Sequence, residues 1–189
     1  MKQKLIFLLL AMLLITSAPS FAALNAYLRL TGQTQGEIRG SATQAGREDS
    51  IIVIGTNHEV VSPRDAASGL PTGKRQHKPF TITKEIDKSS PLLMSALISG
   101  ELITEFRLGY WQITPQGIEE QHYTITLTNA RICGIRQEML NNKYPENMQH
   151  KEREHVSFTY EQISWTWEDG SISSLADWQY DATDISISD

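Results

Sequence analysis

The chain has 189 residues, 40% of them hydrophobic and 21% charged, with a formal net charge of −5 and a single cysteine. That length makes one domain with a core large enough to stand without staples, and the five Phe, six Tyr and four Trp exclude general disorder. A mildly acidic chain without a basic stripe excludes nucleic acid and a polybasic lipid anchor as partners, and one thiol excludes an internal disulfide.

The chain opens with Met1-Lys-Gln-Lys4, a basic start, followed by an uncharged apolar run over residues 5–15 and a more polar stretch containing Pro19. Ser20-Phe-Ala22 places small residues at the −3 and −1 positions, so residues 1–22 read as an export signal cleaved between Ala22 and Ala23. The run of about eleven apolar residues is too short to span a membrane, which takes roughly twenty. The protein is therefore expected to be exported, periplasmic or secreted, touching the membrane only through the signal. Removing Lys2 and Lys4 takes the formal charge from −5 to −7. The mature domain is expected over residues 23–180, with a polar tail at 181–189.

Residues 25–30 alternate, with Ala26, Leu28 and Leu30 opposite Tyr27 and Arg29, as in a half-buried strand. A turn cluster at 31–36 and a short strand at 37–40 follow. Residues 50–61 are rich in β-branched side chains and predict a long strand, bent at Gly55. Residues 62–75 carry two Pro, two Gly and no period, a long excursion of the kind that is either functional or disordered. Residues 76–84 resume strand character.

One helix is predicted. Ser90 can cap it, Pro91 sits at its first position and Gly100 stops it. Strands return over 102–113 and 118–135, separated by a turn at 115–117. Cys133 lies in the second of these and reads as a small buried hydrophobe. Residues 136–153 form a second polar excursion. Residues 154–167 predict a strand with a change of parity at Glu161-Gln162, read as a bulge. A hairpin turn at 168–170 leads to a last strand ending near Tyr180. Antiparallel strands with one flanking helix predict a mainly β fold, a two-sheet antiparallel β-barrel.

No motif carries catalytic chemistry. The histidines 58, 77, 122, 150 and 155 show no metal spacing, and Glu119 and Glu120 diverge across a strand. Glu152 and Glu154 flank Arg153 and read as surface charge. The Trp165/Trp167 pair suits a core or an interface better than a carbohydrate platform. The expectation is a protein without enzymatic activity, cofactor or metal.

The block Lys74-Arg-Gln-His-Lys-Pro-Phe-Thr-Ile-Thr-Lys-Glu-Ile-Asp-Lys-Ser-Ser-Pro91 resembles the haemolysin-coregulated protein family, Hcp, of the type VI secretion system. The opening Ala26-Tyr-Leu-Arg-Leu30 with Ile38-Arg-Gly40 is similar to that family's first strand, and Ser50-Ile-Ile-Val-Ile-Gly-Thr-Asn-His58 to its second block. Residues 92–100 resemble its helix, and Thr159-Tyr-Glu-Gln-Ile-Ser-Trp-Thr-Trp-Glu-Asp-Gly170 its closing hairpin. The resemblance implies a β-barrel that forms a homohexameric ring. It further implies rings that stack into a tube inside a contractile sheath, capped by a VgrG spike and carrying small effectors in the lumen. It implies no enzymatic activity unless a toxin domain is fused at the C-terminus, and none is expected here. Residues 62–75 would be the arm that reaches a neighbour, with Arg64, Asp65, Leu70, Lys74 and Arg75 as candidate interface residues. Members of the family assemble from the cytosol without an export signal, so the signal points to an alternative, an exported Hcp-like binding or assembly protein outside the contractile machine.

Overall fold

The structure, a computed structural model, describes residues 25–178. The expected signal, its expected cleavage point at Ala22 and Ala23, and the expected tail at 181–189 lie outside the described residues.

Alternation builds the first sheet, although Tyr27 on the outer face is also buried, beneath Arg47. In β1 (Ala26–Gly32) Leu28 and Leu30 are buried while Arg29 between them is exposed. Strand β1 pairs antiparallel with β8 (Ile103–Ile113), in register from Ala26↔Tyr110 to Gly32↔Ile103. Strand β8 pairs with β9 (Glu119–Thr128), β9 with β12 (Gln162–Trp167), and β12 with β13 (Ile172–Asp177). The free side of β1 takes β2 (Gly36–Glu37) and β3 (Ile51–Val53), which completes seven strands. The β8–β9 turn is set by Gly117, at φ 80°, and by the Thr114 N–H donating to the Ile118 carbonyl at 2.8 Å.

The second sheet has four strands, in the order β10 (Arg131–Glu138), β11 (Arg153–Thr159), β7 (Phe80–Glu85) and β4 (Gly55–Asn57). The two sheets face one another across a single core. Phe106 of the first meets Phe80 and Phe158 of the second edge-to-face, with ring centroids 5.7 and 5.0 Å apart. The helix α1 (Ser90–Ser99) packs on β10 and adds Leu93 and Ala96 to this core, leaving Ile98 in solvent. Gly100 closes it in the left-handed conformation, φ 65°, as expected. No helix among the described residues is long and apolar enough to cross a membrane.

The mainly β, antiparallel reading with one helix holds, but the closed barrel does not. Among the described residues neither ladder returns on itself: the first ends at β13 and at β2/β3, the second at β10 and β4. The reason lies at the corners, where the chain leaves one sheet for the other and each ladder stops. Ile54 separates β3 from β4. Asn129, at φ 50°, and Ala130 separate β9 from β10, so the single strand expected over 118–135 is two. Tyr160 and Glu161 separate β11 from β12, so the expected bulge is a change of sheet.

Three side chains differ from their sequence reading. Cys133 is exposed, because its parity on β10 faces away from Ile132 and the core. Its thiol donates to the Ser157 carbonyl at 3.3 Å. Glu154 is fully buried rather than surface charge. The N-cap is Ser89, which makes no side-chain cap bond, and the Ser90 hydroxyl turns inward.

Candidate functional site

Two features stand apart from ordinary packing: a buried ion pair beneath the helix, and a projecting hairpin with its root clamped to the sheet corner.

The Lys-Glu-Ile-Asp-Lys-Ser-Ser block supplies the cation of the ion pair, and β11 supplies the carboxylate. The Lys84 Nζ donates to Glu154 Oε1 at 2.8 Å, and both side chains have 0% exposure. The same ammonium reaches the Glu85 carbonyl at 2.8 Å, Asp87 at 2.9 Å and the Ser90 hydroxyl at 3.1 Å. Ser90 Oγ in turn donates to Glu154 at 2.8 Å, and Gln137 approaches the other carboxylate oxygen at 3.3 Å. Burial opposes ionisation of Asp87. Hydrogen bonds from Ser89 and Lys84 more than offset it, and they hold that carboxyl below the usual range. The cluster ties β7 and β11 to the first turn of α1, with its charges paired and hydrogen-bonded as burial requires. The motif that carries the family resemblance is therefore an anchor of the fold rather than a reactive site.

The excursion at 62–75 is an ordered hairpin arm. Strand β5 (Val60–Val61) pairs with β6 (Gln76–His77), and Arg64 bridges to Pro71 further out. Asp65 organises the tip. Its carboxylate accepts from the Ala67 N–H at 3.2 Å, the Ser68 N–H at 2.7 Å and the Ser68 hydroxyl at 2.8 Å. Those Ser68 bonds, led by the hydroxyl's, hold its carboxyl below the ordinary range. Arg64 donates to the Gly69 carbonyl at 3.0 Å, and Leu70 stands 65% exposed. The arm thus brings Arg64, Asp65 and Leu70 together at its tip. Lys74 lies exposed on the returning limb, and Arg75 is half-buried at the root.

At the root, one hydroxyl pins both limbs. Tyr160 Oη lies 2.6 Å from His58 Nε2 and 2.9 Å from His77 Nδ1. His77 stacks on Trp178, and His58 packs against Phe80 and Trp165. Burial is the main cause lowering both imidazole pKa values. The neighbouring His77 lowers that of His58 further, and Arg75 that of His77, against an opposing pull from Asp177. Burial raises the Tyr160 phenol. With both rings neutral, the hydroxyl donates to one histidine and accepts from the other, while His77 Nε2 stays buried without a partner.

Sequence reasoning did not find Tyr160, His58, His77 or the Lys84–Glu154 pair as a set. One signal was available. Glu154 shares parity with Val156 and Phe158, which marks it as a core position. Nothing local marks His58 and His77 as partners of Tyr160, because the contacts span 102 and 83 residues of chain. Among the described residues no group of three His, Cys, Asp or Glu is placed to hold a metal ion.

The family model for the type VI secretion system effector Hcp matches residues 27–167. The "Major exported protein" of Pseudomonas aeruginosa is 42% identical over 166 residues, covering 83% of this chain and 96% of that protein. A solved Hcp protein is 32% identical, covers 84% of this chain and 99% of its own, and superposes with a TM-score of 0.78. The secreted protein Hcp3 from Pseudomonas aeruginosa is 35% identical, covering 84% of this chain and all of its own, with a TM-score of 0.69. The match runs from β1 through β12, across both sheets, the helix and the arm, and this chain belongs to the Hcp family of type VI secretion system proteins.

Proposed function

We propose that this protein is a structural subunit of the type VI secretion tube, acting as a homohexameric ring that stacks and carries small effectors. The observation that carries this reading is the ordered hairpin arm. A ring requires a heterologous contact that closes on itself, and an arm with an exposed Leu70 flanked by Arg64 and Lys74 supplies one half of such a contact. An organised tip whose carboxylate is satisfied within the arm presents a fixed shape and so loses little entropy on docking. The sheath and the VgrG spike are the further partners that this role implies. Light scattering coupled to size exclusion on residues 23–189 tests it. A hexamer is expected for the native sequence, and a smaller species once residues 64–71 are replaced by a two-residue turn. A strict monomer at high concentration would overturn the reading.

A second reading rests on the N-terminal signal and on the exported status in the name of the 42% identical relative. In it, the same fold assembles outside the cytosol and apart from the contractile machine. N-terminal sequencing of protein recovered from cytosol, periplasm and medium separates the two. A mature start at Ala23 in the periplasm supports the second, and Met1 retained in the cytosol supports the first.

A further inference from the structure

The outer face of the first sheet carries an arrangement that neither the ion-pair anchor nor the arm uses. Arg29 and Arg107 are direct Cα partners across β1 and β8. Each is exposed and sits between fully or almost fully buried core residues, Leu28 and Leu30 on one strand and Phe106 and Leu108 on the other. Both guanidinium groups therefore leave the same face side by side. Like charges directly opposite on adjacent strands destabilise a sheet, so such a pair normally comes with a counter-charge. Here neither arginine forms an ion pair among the described residues. Arg29 makes only a long 3.4 Å contact to the Gly46 carbonyl. Glu105, next on the same face of β8, is engaged instead by the Thr31 hydroxyl at 2.9 Å.

A third guanidinium completes the group. Arg47 is only 8% exposed and is held between the rings of Tyr27 and Trp111, 4.8 and 4.2 Å from their centroids. It pairs with Glu119, while its Nε is buried without an acceptor. The three arginines line one pocket of about 280 Å³ with Tyr27, Trp111 and Gln121. Gly109 keeps the pocket open. It occupies the next position on the face of Arg107, and a Cβ there would come within 2.8 Å of Gln121 Oε1. Three guanidinium charges against the one carboxylate of Glu119 leave the lining at +2.

The geometry points to a binding site for a phosphoryl group in this pocket. A phosphate monoester carries close to two negative charges and three acceptor oxygens. That matches both the residual charge and the need of two parallel guanidinium forks for bridging oxygens. A single carboxylate would leave one charge of the lining unmatched. The site is independent of the tube reading, since it uses no residue of the arm.

Trp111 in the pocket wall provides the readout. Inorganic phosphate titrated into the purified protein, at ionic strength held constant with chloride, is expected to change tryptophan emission saturably. The exchange Arg29→Gln with Arg107→Gln should weaken that response at least tenfold without lowering the unfolding midpoint. Acetate at the same ionic strength should give no saturable response. Co-sedimentation with vesicles containing phosphatidic acid, against pure phosphatidylcholine, separates the two sources of the group. Sedimentation lost in the double variant assigns a lipid headgroup, and phosphate binding without sedimentation assigns a soluble phosphoryl compound. Absence of a saturable phosphate response, an equal response to acetate, or unchanged phosphate binding in the double variant each overturns the proposal.

Discussion

Replacing Lys84 by Met tests whether the Lys84–Glu154 pair anchors the fold. The substitution keeps the length and removes the charge. Glu154, at 0% exposure, would then retain only the Ser90 hydroxyl and the distant Gln137 amide. Breaking a buried pair by removing one partner costs about 3–5 kcal/mol, because the remaining charge has neither water nor counter-charge. For a domain of this size each kcal/mol lowers Tm by about 2–4 °C, so a fall of roughly 6–20 °C is expected. The pair of Lys151 with Glu85, the residue after Lys84 on β7, supplies an internal control. Their 2.7 Å pair is 73% and 43% exposed, and Lys151→Met should cost about 0–1 kcal/mol. The double variant Lys84→Met with Glu154→Leu should recover most of the loss, since no fully buried charge is left alone and Asp87, partly exposed, keeps its Ser89 hydrogen bonds. Guanidinium unfolding at fixed protomer concentration, followed by tryptophan emission, measures all four proteins. A cost for Lys84→Met no larger than that for Lys151→Met would refute the reasoning.

Three further predictions follow from other parts of the molecule. Gly40→Ala places a methyl group inside contact distance of the Ile51 and Ser50 backbone, which cannot yield as a side chain would, and should cost about 1–3 kcal/mol in the same unfolding measurement. Phe106→Ala removes the ring that joins Phe80 to Phe158 at the centre of the core and should cost about 3–5 kcal/mol. At the arm root, folded-state pKa values of His58 and His77 lie below the ordinary histidine value, so the undocked state takes up protons first. Docking of the arm should thus weaken as pH falls below about 6.5, and the loss should level off below the folded values. Protection factors at Val60 and Val61, corrected for the intrinsic pH dependence of amide exchange, should fall over that window, and Tyr160→Phe should lower them even at pH 7.5. Unchanged protection in both cases would show that the clamp does not hold the arm.

Local sequence determined most of the elements. Alternation in residues 26–32 and 123–128 set strands with one buried face, because side-chain direction in a strand depends only on parity. Pro91 in the first turn and the left-handed Gly100 stop set the helix within a residue, because proline's fixed φ and the Gly100 N–H bond back to the last turn both act locally. The resemblance to Hcp was legible in the residues of the 74–91 block themselves. The tertiary structure alone decided where the chain changes sheet. A parity break at Glu161-Gln162 looks the same locally whether it marks a bulge or a corner, and only the partner strands distinguish them. It decided the open two-sheet arrangement for the same reason, since closure is a property of which edges meet. It also decided the burial of Glu154 and the shared hydroxyl of Tyr160. A charged or titratable group becomes an anchor or a clamp only when residues some 70 to 100 positions away complete its hydrogen bonds in a site closed to water.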